Sequence, residues 1–128
     1  MELVAIIIVL ALIQYSVLGA LVGKARGQYG VEAPAVHGHP VFERYYRVHQ
    51  NTLESLVMFI PGMVLFGLYA WPEVAAALGV VYLVGRQVYL QAYVRDPKSR
   101  ALGFMLSFLP TVLLILGGLI GATMSLVA

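Results

Sequence analysis

The chemically informative stretch of the chain is Phe42-Glu43-Arg44-Tyr45-Tyr46-Arg47-Val48-His49-Gln50-Asn51-Thr52-Leu53-Glu54. Glu43, Arg47, Asn51 and Glu54 recur at i, i+4, i+8 and i+11, which puts all four on one face of a helix. A second set answers it: Tyr82, Arg86, Tyr89 and Tyr93 follow i, i+4, i+7 and i+11, flanked by Gln87 and Gln91. Arg86 stands alone among apolar residues, and an ionisable group in such a setting needs a partner. Glu54 is the expected partner, in a slanted ion pair. Arg47, Asn51, Glu54, Tyr89 and Tyr93 together describe a polar pocket that Arg26 and Arg100 can reach from neighbouring segments. Cations, an amide and hydroxyl groups suit a small, polar, multiply anionic ligand. The chain has no cysteine, so any thiol chemistry must use the thiol of another molecule, and thiolate metal sites are excluded. No metal site is expected.

The elements that position these residues follow from charge spacing. Of 128 residues, 61% are hydrophobic and 11% charged, against about a quarter charged in soluble domains. That balance excludes an ordinary soluble globule, a disordered tail and a nucleic-acid binder, although the net charge is +2. Leu3 to Gly23, Ser55 to Pro72 and Ala101 to Ala128 carry no charged side chain, and Val74 to Val94 carries only Arg86. Crossing about 30 Å of hydrocarbon takes roughly 20 apolar residues, and lipid demands that backbone polar groups be satisfied within each segment. The expectation is an all-α integral membrane protein, a single four-helix bundle over residues 1–128. Its helices should fall near 3–23, 41–71, 74–95 and 100–127. The first segment, which opens Met1-Glu2 with no basic residue, reads as a retained helix rather than a leader.

The connections are unequal. Residues from Lys24 to His39 form a loop rich in Gly and Pro, Trp71-Pro72-Glu73 is a tight hairpin, and Arg95 to Arg100 is short and charged. Lys24, Arg26, Arg44, Arg47, Arg95, Lys98 and Arg100 all fall at the first and third connections. Glu2, Glu73 and the terminal carboxylate lie at the other end. This bias puts the long connections in the cytoplasm and both termini outside. A second helix from Val41 to Ala70 would be about 45 Å long and would project into the cytoplasmic interface. Counted from Pro72-Glu73, Glu54 should be level with Ala92 and Asn51 with Arg95, leaving Arg86 about 9 Å deeper than Glu54. Gly19/Gly23 and Gly117/Gly121 are small-residue pairs suited to close helix packing. A polar pocket at the cytoplasmic third of a bilayer, with lipid alongside to deliver an apolar co-substrate, points to conjugation or reduction of lipophilic compounds.

These residues resemble a known family, the membrane-associated proteins in eicosanoid and glutathione metabolism (MAPEG). Phe42-Glu43-Arg44-Tyr45-Tyr46-Arg47 with Asn51 and Glu54 is similar to the family signature F-E-R-x-x-R-x-x-x-N-x-x-E. Gly85-Arg86-Gln87-Val88-Tyr89 with Tyr93 resembles its second signature, and Arg100 falls where the family has an Arg opening its fourth helix. The resemblance implies a homotrimer that binds glutathione as co-substrate between neighbouring subunits near the cytosol. It implies glutathione-binding roles for Arg26, Arg47, His49, Asn51, Glu54, Tyr89 and Tyr93, and a catalytic role for Arg100 in activating the thiol. Gln50 and Ser55 depart from the prostaglandin-forming and leukotriene-forming branches, and His49-Gln50-Asn51 looks like the bacterial branch. The implied activity is a glutathione transferase with peroxidase activity, acting on lipophilic electrophiles or lipid hydroperoxides. The implied location is a bacterial inner membrane with the site toward the cytoplasm. The alternatives are a non-catalytic lipid- or partner-binding member of the same fold, or a small multidrug transporter. A transporter would call for an acid in the first helix, which offers only Gln14, Tyr15 and Ser16 as polar residues in its middle.

Overall fold

Four long helices and one short 3-10 turn make up the computed structural model, which describes residues 1–128 and contains no strand. The helices are α1 (Glu2–Tyr29), α2 (Pro40–Tyr69), α3 (Pro72–Arg95) and α4 (Ala101–Val127), with the turn at Pro97–Ser99. Each is long and apolar enough to cross a membrane. The outer surface between the helix ends is largely apolar: Ile6, Val17, Val57, Val84, Leu102 and Leu119 are all exposed. In water such a surface would drive aggregation, whereas in lipid it is the solvent-facing coat.

Local chemistry sets the helix ends. Gly30 stops α1 at φ 68°, its N–H bonding back to the Arg26 carbonyl. The His39 imidazole caps α2, Nδ1 accepting from the Val41 N–H at 3.1 Å, and Pro40 and Pro72 open α2 and α3 where no amide donor is needed. Asp96 ends α3 and turns the chain through Pro97, its carboxylate accepting from the Lys98 N–H at 3.1 Å. Arg44 reaches from α2 to the carbonyl oxygens of Val94 and Arg95 at 3.0 and 3.4 Å, so a cation caps the C-terminus of α3. The ends of α1 and α2 and the start of α3, at Pro72, differ from expectation. α1 continues through Lys24 to Tyr29 because nothing before Gly30 breaks it, so Arg26 lies in its last turn and not in a loop. α2 stops at Tyr69, so the hairpin turns at Ala70-Trp71.

The shifted hairpin changes the register. Tyr82 stacks on Phe59 at 3.7 Å and shares a 2.7 Å hydrogen bond with Ser55, while Arg86 reaches Asn51 at 2.8 Å. Arg86 is therefore level with the Asn51–Ser55 turn, and the expected 9 Å offset is not found. α1 and α4 pack on opposite sides of the α2–α3 pair. The largest buried cluster joins α1, α2, α3 and α4 near the hairpin end through Val4, Phe59, Met63, Tyr82 and Leu114.

Arg86 is 1% exposed and holds three helices in place. Its Nη2 donates to Asn51 Oδ1 on α2, its Nη1 donates to Ser107 Oγ on α4 at 3.3 Å, and its guanidinium lies 4.4 Å over the Tyr89 ring on α3. The expected Arg86–Glu54 ion pair is not formed: the ion pairs of the chain are Met1–Glu2 and His37–Glu43. Asn51 is half-buried and takes the guanidinium, while Glu54, about 60° away around the helix axis, is exposed. Close approach of α4 is possible because position 85 has no side chain. A Cβ there would lie 2.7 Å from the Leu106 carbonyl carbon and 2.8 Å from the Ser107 nitrogen. The backbone of Tyr89 crowds Gly103 in the same way. Of the small-residue pairs read from sequence, Gly117 and Gly121 meet Phe66 and Tyr69 of α2, whereas Gly23 faces open space.

Gly85→Ala should lower the thermal stability of the detergent-solubilised protein by about 1–3 kcal/mol through overpacking. Gly23→Ala should leave it unchanged or raise it by up to about 1 kcal/mol. Circular-dichroism melts of the two variants check the pair. Asn51→Leu should cost about 1–3 kcal/mol or more by stranding a buried cation, whereas Glu54→Ala should melt like wild type. Equal losses in both would restore the ion pair that the geometry replaces.

Candidate functional site

The helix face read from sequence is real. Asn51, Glu54, Ser55 and Met58 of α2 form one wall of a cleft of about 150 Å³, with Arg86 at its base and Phe104, Ser107, Phe108 and Thr111 of α4 opposite. The α4 wall has the same periodicity as the α2 wall: Arg100, Phe104, Ser107, Phe108 and Thr111 fall at i, i+4, i+7, i+8 and i+11. Ser107 and Thr111 are buried and bond back to the carbonyls of Gly103 and Ser107 at 3.0 and 2.8 Å, satisfying their hydroxyls within the helix. The cleft is thus polar at its base, and exposed Met58, Phe104 and Phe108 make its rim apolar.

One turn toward the N-terminal end of α2, a second cleft of about 380 Å³ opens among Glu43, Arg44, Tyr46 and Arg47, Tyr93 of α3, and the connection at Val36–His37. Arg47 is exposed with no internal partner. Arg44, which shares its wall, is committed to capping α3. His37 lies 3.8 Å from the Glu43 carboxylate, and the Gly38 N–H donates to that carboxylate at 3.2 Å, so Glu43 ties the connection down over α2. Arg100 stands at the head of α4, exposed, its Nη1 donating to the Pro97 carbonyl at 2.9 Å. It shares a shallow depression with Lys98, Ala101 and Phe104. Phe104 belongs to both this depression and the Asn51–Arg86 cleft, which makes Arg100 a neighbour of that cleft.

The residues singled out from sequence therefore divide. Asn51 and Glu54 share the first cleft, Arg47 and Tyr93 the second, and Arg100 adjoins through Phe104. Tyr89 lines neither: it is buried under Arg86 with its ring 5.5 Å from that of Tyr93. Arg26 and His49 lie on the opposite, α1 flank. Arg26 donates to the Ala35 carbonyl at 2.6 Å and sits 4.8 Å over the Phe42 ring. His49 stacks on Tyr15 at 4.3 Å beside Gly19, turned away from Asn51 and Glu54. Within one chain these two groups cannot touch a ligand held by Asn51 and Glu54. Sequence reasoning missed the whole α4 wall below Arg100. Its signal was available in the i, i+4 pair Ser107/Thr111, the only hydroxyls in the middle of that segment.

Electrostatically the first cleft is unusual for a membrane protein. A guanidinium with no carboxylate within ion-pair distance lies beneath it, and an exposed carboxylate without a counter-ion lies on its lip. Charges left so at a lipid-facing surface are costly. A ligand carrying both an amine and carboxylates, or a second protein surface, would compensate them.

Comparison with known proteins agrees with this architecture. Residues 4–120 match the MAPEG family. The chain is 45% identical over 116 residues to an uncharacterized protein of Synechocystis, covering 91% of this chain and 85% of that one. It is 40% identical over 119 residues to microsomal glutathione S-transferase 2 of Homo sapiens, covering 93% and 81%. It is 35% identical over 77 residues to leukotriene C4 synthase of Bos taurus, covering 60% and 51%. A match that runs through all four membrane-length helices, both polar helix faces included, makes this chain a member of the MAPEG family.

Proposed function

We propose that the chain is a membrane-bound glutathione transferase that conjugates glutathione to lipophilic electrophiles and also reduces lipid hydroperoxides with it. The observation that carries this reading is the row Arg47, Asn51 and Glu54, unpaired with any opposite charge on one face of a membrane helix, above a buried Arg86. The names of the relatives, a glutathione transferase and a leukotriene synthase, support the same chemistry. The donor set fits glutathione: Arg47 and Arg100 suit its carboxylates or thiolate, the Asn51 amide its peptide groups, and the Glu54 carboxylate its amine. The apolar rim of Met58, Phe104 and Phe108 suits an acceptor that arrives from the lipid.

The division of the polar residues between two flanks supports assembly. Arg26 and His49 on the α1 flank complete the site only if they face the α2–α4 flank of a neighbouring copy. Such a head-to-tail contact closes as a ring, and the homotrimer that the family resemblance implies is the ring we assign. The excess of Arg and Lys at the first and third connections supports a cytoplasmic site.

Arg100 supplies the chemistry. A free thiol has a pKa near 8.5 and only its thiolate is nucleophilic. A permanent cation about 4 Å away contributes about 4 kcal/mol at an effective dielectric near 20, before desolvation losses. A net depression of one to two pKa units, at about 1.4 kcal/mol each, makes the thiolate abundant near neutrality. Attack on an electrophilic carbon forms a carbon–sulfur bond as a leaving group departs with its electron pair, or as a π pair moves to a carbonyl and takes up a proton. With a hydroperoxide, two glutathiones are oxidised to the disulfide while the peroxide is reduced to an alcohol and water.

Arg100→Ala should retain glutathione binding but lose roughly tenfold in turnover at pH 7, since most of the thiol is then protonated. The cation favours the charged form, so its removal raises the thiol pKa and moves the rise of the pH–rate profile upward, toward about pH 8.5. Conjugation of a chromogenic electrophile measured from pH 6 to 9.5, beside a lipid hydroperoxide assay, checks this. An unshifted profile removes Arg100 from the mechanism.

A further inference from the structure

We propose that Arg86 is a positioning residue: it turns the Asn51 side chain so that the amide N–H groups, and not the carbonyl, are presented to the cleft. This rests on the reading that the cleft binds glutathione, and it names the polarity of one of the contacts.

The direction of every hydrogen bond through Arg86 is forced, because a guanidinium donates and cannot accept. Its Nη2 lies 2.8 Å from Asn51, so the atom facing it is the Asn51 oxygen. The amide nitrogen must then point the other way. Asn51 Nδ2 has no partner within the chain and is not among the buried unsatisfied atoms, so it stands open on the cleft that Asn51 lines. Arg86 cannot turn aside to release it. The guanidinium is 1% exposed, is packed on the Tyr89 ring, and is held through Nη1 by Ser107 Oγ, whose own hydroxyl proton is directed to the Gly103 or Phe104 carbonyl at 3.0 or 3.1 Å. A chain of donors therefore runs one way, from Arg86 outward to Asn51 and from Asn51 into the cleft. An isolated asparagine presents either end of its amide; this one presents donors only. The group it selects is an acceptor oxygen of the ligand, such as a carbonyl or carboxylate, and an ammonium, which can only donate, is rejected at that point.

Asn51→Asp separates this role from simple structural support. A carboxylate at position 51 satisfies Arg86 as a buried ion pair, so the variant should melt at or above the wild-type temperature. It has no N–H to offer, so glutathione affinity by calorimetry, and KM for glutathione, should worsen at least tenfold and more than kcat falls. Arg86→Gln should lose affinity similarly, because a neutral amide permits either orientation of Asn51. Arg86→Lys, which also only donates, should recover most of it. Wild-type affinity in a folded Asn51→Asp protein, or no recovery in a folded Arg86→Lys protein, overturns the proposal. Failure of the wild-type protein itself to bind glutathione overturns the function proposed above and this inference with it, whereas tight binding by wild type and Asn51→Asp alike overturns the positioning role alone.

Discussion

Placing a guanidinium out of contact with water inside a lipid-embedded bundle is the constraint on which the rest of the structure depends. An isolated ion in such a place is destabilising by several kcal/mol, and Arg86 is compensated without a carboxylate by an amide oxygen from α2, a hydroxyl from α4 and the face of a tyrosine from its own helix, its Nε alone being buried without a partner. Each comes from a different element, so the cation can be satisfied only when α2, α3 and α4 have one relative position. The absence of side chains at Gly85 and Gly103 serves the same end, since the 3.3 Å reach to Ser107 requires α3 and α4 to run nearly backbone to backbone. Stability and site geometry are thus not separable around Arg86. The residue that joins the helices also shapes the cleft.

Much of the fold was legible in the chain, for a simple reason: lipid leaves the backbone few options, and runs of uncharged residues long enough to cross it announce helices. The faces were legible too, because helical periodicity groups Arg47, Asn51 and Glu54, and groups Arg86 with Tyr82 and Tyr89. What periodicity does not carry is the offset between helices. The position of the hairpin turn, two residues earlier than Pro72-Glu73, brought Arg86 level with the turn that holds Asn51. Nor does it reveal which polar residue takes a buried cation, because a carboxylate is the stronger partner on charge alone and here faces the wrong way. The first helix ran past Lys24 because charged residues end a span in lipid without ending a helix. The α4 wall was overlooked because two hydroxyls in an apolar segment look like ordinary back-bonded Ser and Thr until another helix is seen to face them.

The polar residues that do not meet carry as much information as those that do. Arg26 and His49 are held in place by their own neighbours, the Ala35 carbonyl and Phe42 ring for one and Tyr15 for the other. They are not loose side chains awaiting the cleft within the same chain. Their orientation is fixed on the flank away from it, which makes the surface of the single chain two-sided: one side carries the polar clefts and the Glu54 lip, the other carries Arg26 and the Tyr15–His49 stack. The homotrimer proposed above is the arrangement that would bring the two flanks together.

The rim of the cleft has a consequence for how the protein should be studied. Met58, Phe104 and Phe108 are exposed around the cleft, so anything reaching the polar base from the lipid must cross that rim sideways. A molecule that arrives by this route is encountered according to its mole fraction in the bilayer or micelle, not its amount per volume of buffer. Apparent affinities for such molecules would then fall as detergent is added, at constant bulk concentration, by dilution in two dimensions. A water-soluble molecule entering from the charged end would show no such dependence, and the two routes could be told apart by surface dilution alone.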